Sequence, residues 1–494
     1  MVKKRLHSPI ASGSSLPYDG VDMRRTKIIC TVGPASDSAQ MLRRLVEAGT
    51  DVFRLNFSHG TVAGHQAVIG RVRAIAEEMG KPIAILQDLP GPKIRLGEFK
   101  DGSTELDAGD RFRLTTEDVS GDHERVSVGY AGLTKEVGPG QTILLADGTV
   151  ELEVESVTST EIVCRVVHGG VLTNHKGVTV IGGKSNLSAF TQQDRKLLLD
   201  GIGAGVDLVA LSFVRSPVDI QSARDFLAGH QQKVPLMAKI EKLQSLDIID
   251  EILAIADSIM VARGDLGIEV PIAQLPHIQK DLIRKAIQAA KPVVTATQML
   301  RSMVENPRPT RAEVADVANA VLDGSDALML SEESAVGAYP VEAVKILAAT
   351  AEAAEARLFA QRPFAPLAWT DSVSAAEAVG HAASLVAHQA KATAIICCTR
   401  TGQTARLVAK YRPVQPILAF TPEAQTVRPL MLVWGVEPSL TEEFTSTDTM
   451  IKAAMQLASK KGVVTPGDNV VIVSGALDAG QTDFLRVVTM NLPS

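Results

Sequence analysis

The chain has 494 residues, enough at roughly 150 residues per domain for about three domains, each with its own core. Apolar residues make up 45% and charged residues 21%, ordinary for a globular protein, whereas aromatics at 4% are too sparse for a base-stacking surface. A net charge of −6, from 50 basic and 56 acidic residues, gives no basic field for DNA, RNA or anionic lipid, so no nucleic acid or membrane partner is expected and any phosphate must be bound locally.

The four cysteines, Cys30, Cys164, Cys397 and Cys398, have no CxxC spacing, which argues against a disulfide framework or a zinc site and fits a reducing cytoplasm. Residues 1–22 are basic but lack the apolar core of a secretory signal and read as an N-terminal arm. No stretch approaches the roughly 20 apolar residues of a membrane span.

From Lys27 onward, short Val/Ile/Leu-rich runs alternate with longer amphipathic segments. The runs are KIICTV from Lys27, VFRLNF from Val52, IAILQDL from Ile83, LVALSF from Leu208, LMAKI from Leu236, SIMVAR from Ser258, VVTAT from Val293 and ALMLS from Ala327. Such runs suit parallel strands buried on both faces, with helices at 37–48, 61–80, 277–290 and 311–322 supplying crossovers. Eight β/α units predict a TIM barrel over 23–91 and 177–361. The spacing breaks once: residues 92–176 alternate apolar and polar, in RFRLTT, QTILLADGTVELEVESV and EIVCRVV, and read as a small β lid domain inserted into a barrel loop. RPFAPLAW from Arg362 reads as a linker. Over 370–494 a helix, AIICCT, a helix from Gln403, PILAFT, a helix from Thr447 and VVIVSG predict an open α/β sandwich.

In a TIM barrel the reactive groups collect where strands end, around one mouth. Here Arg54 and Asn56 close strand two, Asp88 strand three, Lys239 and Glu241 strand five, Arg263 and Asp265 strand six, Thr297 strand seven and Ser331 strand eight. Lys239 and Glu241, two apart on a strand, face the same way, and burying both is costly unless they pair or hold a ligand. Glu241 and Asp265 end consecutive strands, and two converging hard oxygens suit Mg²⁺. Arg54, Lys239 and a metal would surround an anion with positive charge, as phosphoryl transfer requires. No GxxxxGK[ST] string follows any strand, so no P-loop is expected.

The strings KIICTVGPAS, FRLNFSHG, QDLPGPKIR, AKIEKLQSL, IMVARGDLGIEV, ATQMLRSMVENPRPTRAEVADVANAVLDG and GQTARLVAKYRP, over about residues 25–475, resemble the pyruvate kinase family in content and order. The resemblance implies phosphoryl transfer from phosphoenolpyruvate to ADP, giving pyruvate and ATP, in a barrel with a β lid and a C-terminal α/β domain. It implies Glu241 and Asp265 as Mg²⁺ ligands (Mn²⁺ substituting), Lys239 as the principal cation on the phosphoryl group, and Arg54 as a second phosphate contact. Backbone at Ala262, Arg263, Gly264 and Asp265 would meet the substrate carboxylate, and Thr297 would border the face where the enolate is protonated, with a relay through Thr297, Ser331 and water. Arg54, Asn56, His59, Arg95 and Asp147 would serve the nucleotide beneath the lid.

Where many members read DTKGPEIR, this chain has Asp88 to Arg95 as DLPGPKIR. Members with the glutamate hold K⁺ near the equivalents of Asn56, Ser58, Asp88 and the Leu89 carbonyl; Lys93 is expected to place its ammonium there, making K⁺ unnecessary. Glu332 stands where the family has glycine, facing solvent or tuning the mouth. Thr399, Arg400, Thr401, Gly402, Gln403 and Thr404 form a hydroxyl-rich turn opening a helix, which suits a plain N-cap or, as in the family, the phosphate of an allosteric effector. The later loop SGALDAGQTDF leaves the effector's identity open. The family further implies a homotetramer. Two other readings stand beside this one: a catalytically silent, effector-sensing relative, and an aldolase-type lyase acting on the same substrates.

Overall fold

The structure, a computed structural model, describes residues 24–183, 187–361, 373–443, 446–475 and 482–490. The expected N-terminal arm and the RPFAPLAW linker lie outside the described residues.

The eight apolar runs form a closed parallel barrel whose strands are Lys27–Thr31, Val52–Asn56, Ala84–Asp88, Leu208–Leu211, Leu236–Ile240, Ser258–Ala262, Val293–Ala296 and Ala327–Leu330. Neighbours pair in sequence order and the ring closes through Lys27–Thr31 on Ala327–Leu330. Alternate side chains fill the interior, among them Ile29, Val52, Leu86, Ala210, Met237, Met260, Val294 and Met329. The other faces pack under helices Ala39–Ala48, Val62–Glu78, Leu275–Gln288 and Arg311–Asp323, close to the expected intervals. Capping fixes the crossovers: Thr310 and Glu313 form a reciprocal box at the start of one helix, and Gly324 ends it in the left-handed conformation.

Strands between Ser103 and Val180 stand apart from the barrel in a six-stranded and a two-stranded sheet around their own core of Phe112, Leu114, Ile143, Leu152 and Val166. The third unit is a five-stranded sheet ordered Val436–Leu440, Ile417–Thr421, Ala394–Cys398, Asn469–Gly475, Thr482–Thr489. Its last strand is antiparallel, and the periodicity reading found neither edge strand. Those strands alternate partly exposed residues and lack the continuous apolar run of the central three.

This unit sits against the barrel end opposite the site. Met431 and Leu432 pack with the barrel interior. Asp326 accepts from Arg412 Nη1 at 3.0 Å, from Arg412 Nη2 at 3.0 Å and from the Trp434 amide at 3.1 Å. Lys27, the charged residue that opens the first strand, reaches the Val436 carbonyl at 2.8 Å. All four cysteines are buried and free, and burial pushes the thiols of Cys30, Cys164 and Cys398 up to about 12. Among the described residues no helix is long and apolar enough to cross a membrane.

Candidate active site

Lys239 is the hub of the mouth. Its ammonium lies 2.9 Å from Glu241 Oε1 and 3.2 Å from Asp88 Oδ1, and donates to Ser212 Oγ at 2.8 Å. Burial works against the charge, but Asp88 and Glu241 outweigh it and raise the lysine pKa. Asp88 is likewise buried, yet Lys239 and Arg54 hold its pKa below the usual range; Arg54 Nε donates to its Oδ2 at 2.7 Å and Arg54 Nη1 to Thr31 Oγ1 at 3.0 Å.

Glu241, one residue past its strand, has both oxygens engaged, the second by the Phe213 amide at 2.7 Å. Phe213 takes φ +57° to aim that amide, an uncommon conformation for a bulky residue. Burial pushes the Glu241 carboxyl up, and the nearby Asp265 adds to the rise against the opposing pull of Lys239. Two carboxylates therefore repel across the mouth. Among the described residues no group of three or more His, Cys, Asp or Glu is placed to hold a metal ion together.

The sixth strand stops at Ala262, and Arg263 and Asp265 belong to the following helix, Arg263–Glu269, rather than closing the strand as expected. The reason is local: Ala262 caps the helix, which places Arg263, Gly264 and Asp265 in its first turn, where amides have no intrahelical acceptor. The Arg263 side chain plays a structural part, with Nη1 2.7 Å from Asp316 Oδ2 and Nη2 donating to the Thr297 carbonyl at 2.7 Å. Thr297 carries φ +69°, strained for a β-branched residue, and its hydroxyl accepts from the Gly264 amide at 2.8 Å while donating to the Ala296 carbonyl at 2.6 Å. Ser331 follows the eighth strand, with its amide donating to Glu333 at 2.7 Å.

The lid comes to this rim through the turn Ala146–Gly148, which packs on the helix bearing Asp265. Lys93 Nζ lies between them, 3.6 Å from Asp265 Oδ1 and 3.8 Å from Asp147 Oδ1. Its ammonium thus departs from the expected position: it pairs with these two rather than with Asp88, whose charge is taken by Arg54 and Lys239. The Leu89 carbonyl accepts from Ser212 Oγ at 2.7 Å, so it is not left free. Asn56 Oδ1 accepts the Ser58 amide at 3.1 Å, and Ser58 and His59 are exposed. Arg95 is exposed and donates to the His175 carbonyl at 3.1 Å. A cleft of about 710 Å³ opens between barrel and lid, with Lys93, Phe213, Lys242 and Asp265 on its wall.

Glu332 turns outward to Arg301 at 2.8 Å and does not line the mouth. Its buried neighbour Glu333 accepts from the Leu300 and Ser331 amides at 3.0 and 2.7 Å and holds the seventh and eighth strand ends together. In the C-terminal turn, Thr399 Oγ1 accepts from the Gly402 amide at 3.0 Å, Thr404 bonds Thr482 at 2.7 Å, Thr401 Oγ1 accepts from the Gln403 amide at 3.4 Å, and Arg400 pairs with Glu423 at 2.9 Å and with Glu443. Most of SGALDAGQTDF lies outside the described residues.

Reading strand ends named six strands and missed two. The first supplies Thr31 and the fourth Ser212, both buried hydroxyls that orient the charges; the same rule applied to CTV and LSF would have found them. The Phe213 amide has no such signal, since its role comes from backbone conformation.

A barrel whose mouth holds buried cations and paired carboxylates beneath a β lid has the build of a phosphotransferase. The comparisons agree: a family model described as pyruvate kinase, barrel domain, matches residues 23–344, and one described as pyruvate kinase, alpha/beta domain, matches 377–488. "Pyruvate kinase 2" of Synechocystis sp. is 46% identical over 94% of this chain and 79% of its own length, and a pyruvate kinase of Clostridium acetobutylicum is 41% identical over 94% and 99%. A crystal structure of a pyruvate kinase from Cryptosporidium parvum superposes with a TM-score of 0.88 at 35% identity, covering 94% of this chain and 96% of that one. The chain belongs to the pyruvate kinase family and is a phosphotransferase.

Proposed function

We infer that the chain moves the phosphoryl group of phosphoenolpyruvate onto ADP, releasing pyruvate and ATP, with Mg²⁺ held by Glu241 and Asp265. The observation that carries this reading is the buried Lys239 ammonium fixed between Asp88 and Glu241 in the barrel mouth. The donors fit the ion: both are hard carboxylates, and the Asp265 charge, which adds to the burial-driven rise of the Glu241 pKa, is one a divalent cation would offset. When bound, Mg²⁺, or Mn²⁺ in its place, supplies Lewis-acid charge to phosphoryl and enolate oxygens.

Lys239 and Arg54 then stabilise charge on the equatorial oxygens of the group in flight, without a side-chain nucleophile. Backbone of the Ala262 cap and of the first turn, Arg263 to Asp265, receives the substrate carboxylate. Thr297 borders the enolate face, and a relay through Thr297, Ser331 and water delivers the proton. The lid, with Arg95 and Asp147, covers the nucleotide beside Arg54, Asn56 and His59 and excludes water. Lys93, paired with Asp265 rather than seated in the expected monovalent-cation position, holds its ammonium at the rim, and activity without K⁺ rests on that charge acting from there. We also propose a cytoplasmic homotetramer, with the 399–404 turn receiving the phosphate of an effector.

Glu241→Gln and Asp265→Asn test the metal assignment. Each is expected to raise the Mg²⁺ concentration for half-maximal pyruvate formation at least tenfold; an unchanged Mg²⁺ dependence in both would remove these carboxylates from the site.

A further inference from the structure

Lys93 stands on the stem that carries the chain from the third barrel strand into the lid. That stem is fixed on the barrel side: the Gly91 amide donates to Asp194 Oδ1 at 3.1 Å, and the Lys93 amide to the Gly91 carbonyl at 3.1 Å. On the lid side Gly177 leaves room for the lysine, since a Cβ there would lie 3.1 Å from Lys93 Cε and 3.7 Å from Asp147 Oδ1. Asp147 is brought round by two successive left-handed residues, Ala146 at φ +50° and Asp147 at φ +56°, a conformation uncommon outside glycine. Thr149 closes the turn, its amide and hydroxyl both donating to the Ala146 carbonyl, at 3.2 and 2.9 Å. One ammonium thus bridges a carboxylate of the lid and a carboxylate of the barrel, 3.8 Å from Asp147 and 3.6 Å from Asp265.

We propose that Lys93 is a positioning residue of the lid with two linked effects: it holds the turn Ala146–Gly148 against the helix Arg263–Glu269, and it competes with a divalent cation for Asp265. The second effect rests on the assignment of Asp265 as a metal ligand; the first does not. Lys93 and Asp265 are each one-third exposed and Asp147 nearly three-quarters, so both pairs are partly solvated and individually weak. Such a latch yields to a stronger charge. An ammonium this close to a carboxylate oxygen repels a divalent ion seated on the same oxygen, so Lys93 must leave Asp265 for that carboxylate to ligate. It keeps Asp147 as it does so, because the two carboxylates belong to different units. Metal affinity and lid position are therefore tied through one side chain, and the two partners act in opposite directions. Losing Lys93 frees Asp265, whereas losing the Asp147 charge leaves the ammonium to Asp265 alone.

The test uses the full chain stripped of metal and without substrate. It reads Mn²⁺ binding by electron paramagnetic resonance, and hydrogen–deuterium exchange over residues 144–150 and 263–269. Lys93→Met is expected to tighten Mn²⁺ binding about threefold or more and to speed exchange in both segments about threefold, the scale of losing two partly exposed ion pairs. Lys93→Arg should keep both properties near those of the native chain. Asp147→Asn should speed exchange as Lys93→Met does but leave Mn²⁺ binding no tighter, a split that a lid merely loosened in both variants would not produce. Added salt should speed exchange in the native chain towards the Lys93→Met value. Should Lys93→Met fail to fold, Lys93→Gln is expected to show the same two changes. Unchanged exchange in the folded variant, or equally fast exchange in Lys93→Arg, would overturn the latch; Mn²⁺ binding unchanged or weaker in Lys93→Met would overturn the competition. Mn²⁺ binding indifferent to Asp265→Asn would instead overturn the metal assignment, with the latch still decided by exchange.

Discussion

Lys239 keeps its charge in a buried place because three partners meet it at 2.8 to 3.2 Å. Lys239→Met should leave a folded protein whose kcat falls about a thousandfold, the scale for removing a preorganised charge from a transition state; steady-state assays beside a melting curve check this. The Thr297 hydroxyl is tied to the Gly264 amide and the Ala296 carbonyl. Thr297→Val should therefore lower kcat by about two orders of magnitude or more, on the scale of general acid–base catalysis, with Thr297→Ser restoring most of it. Spacing in the sequence foretold the Lys239–Glu241 pairing because period two on a strand fixes a shared face. It could not foretell Lys93, whose position depends on how the inserted domain sits on the rim.

At the scale of elements, the loops after the third and fourth strands are locked together by Gly91. It takes φ +65°, and a Cβ there would lie 3.0 Å from the Phe213 ring and from Ser212 Cβ. Gly91→Ala should cost about 2 kcal/mol and lower kcat, since Ser212 and Phe213 hold Lys239 and Glu241; denaturant unfolding and kinetics measure the two effects separately. At the base of the second strand, Asp51 accepts from Arg24 at 2.8 Å and from the Ile28 amide at 2.9 Å. Burial alone would raise its pKa, but Arg24, Lys27 and Lys81 outweigh burial and hold it at about 2, against 3.8 ordinarily. Because the folded value is the lower one, this stabilisation is present above about pH 4 and is lost as pH falls towards 2. It amounts to about 2 kcal/mol. Asp51→Asn should flatten the stability–pH curve over that interval.

For the molecule as a whole, the eight units, the interrupted spacing and the third unit were legible because buried parallel strands leave continuous apolar runs. The edge strands of the C-terminal sheet and the docking of that unit were not, since docking rests on contacts distant in sequence, the apolar packing of Met431 and Leu432 and a few polar bonds. Asp326 is the chief of these, tying Arg412 and the Trp434 amide to the barrel. Asp326→Ala should destabilise by about 1 to 3 kcal/mol, the cost of leaving the part-buried Arg412 and the buried Trp434 amide without their acceptor, visible as a lowered melting temperature.

The most direct measurement is pyruvate formation from phosphoenolpyruvate and ADP with Mg²⁺ in K⁺-free buffer, repeated with K⁺ added and with Mg²⁺ chelated. Robust activity with Mg²⁺ in both buffers and none after chelation is the expected result. Activity only with K⁺ would contradict the role given to Lys93, and no pyruvate from folded protein under any of these conditions, with AMP and sugar phosphates supplied, would contradict the catalytic reading itself.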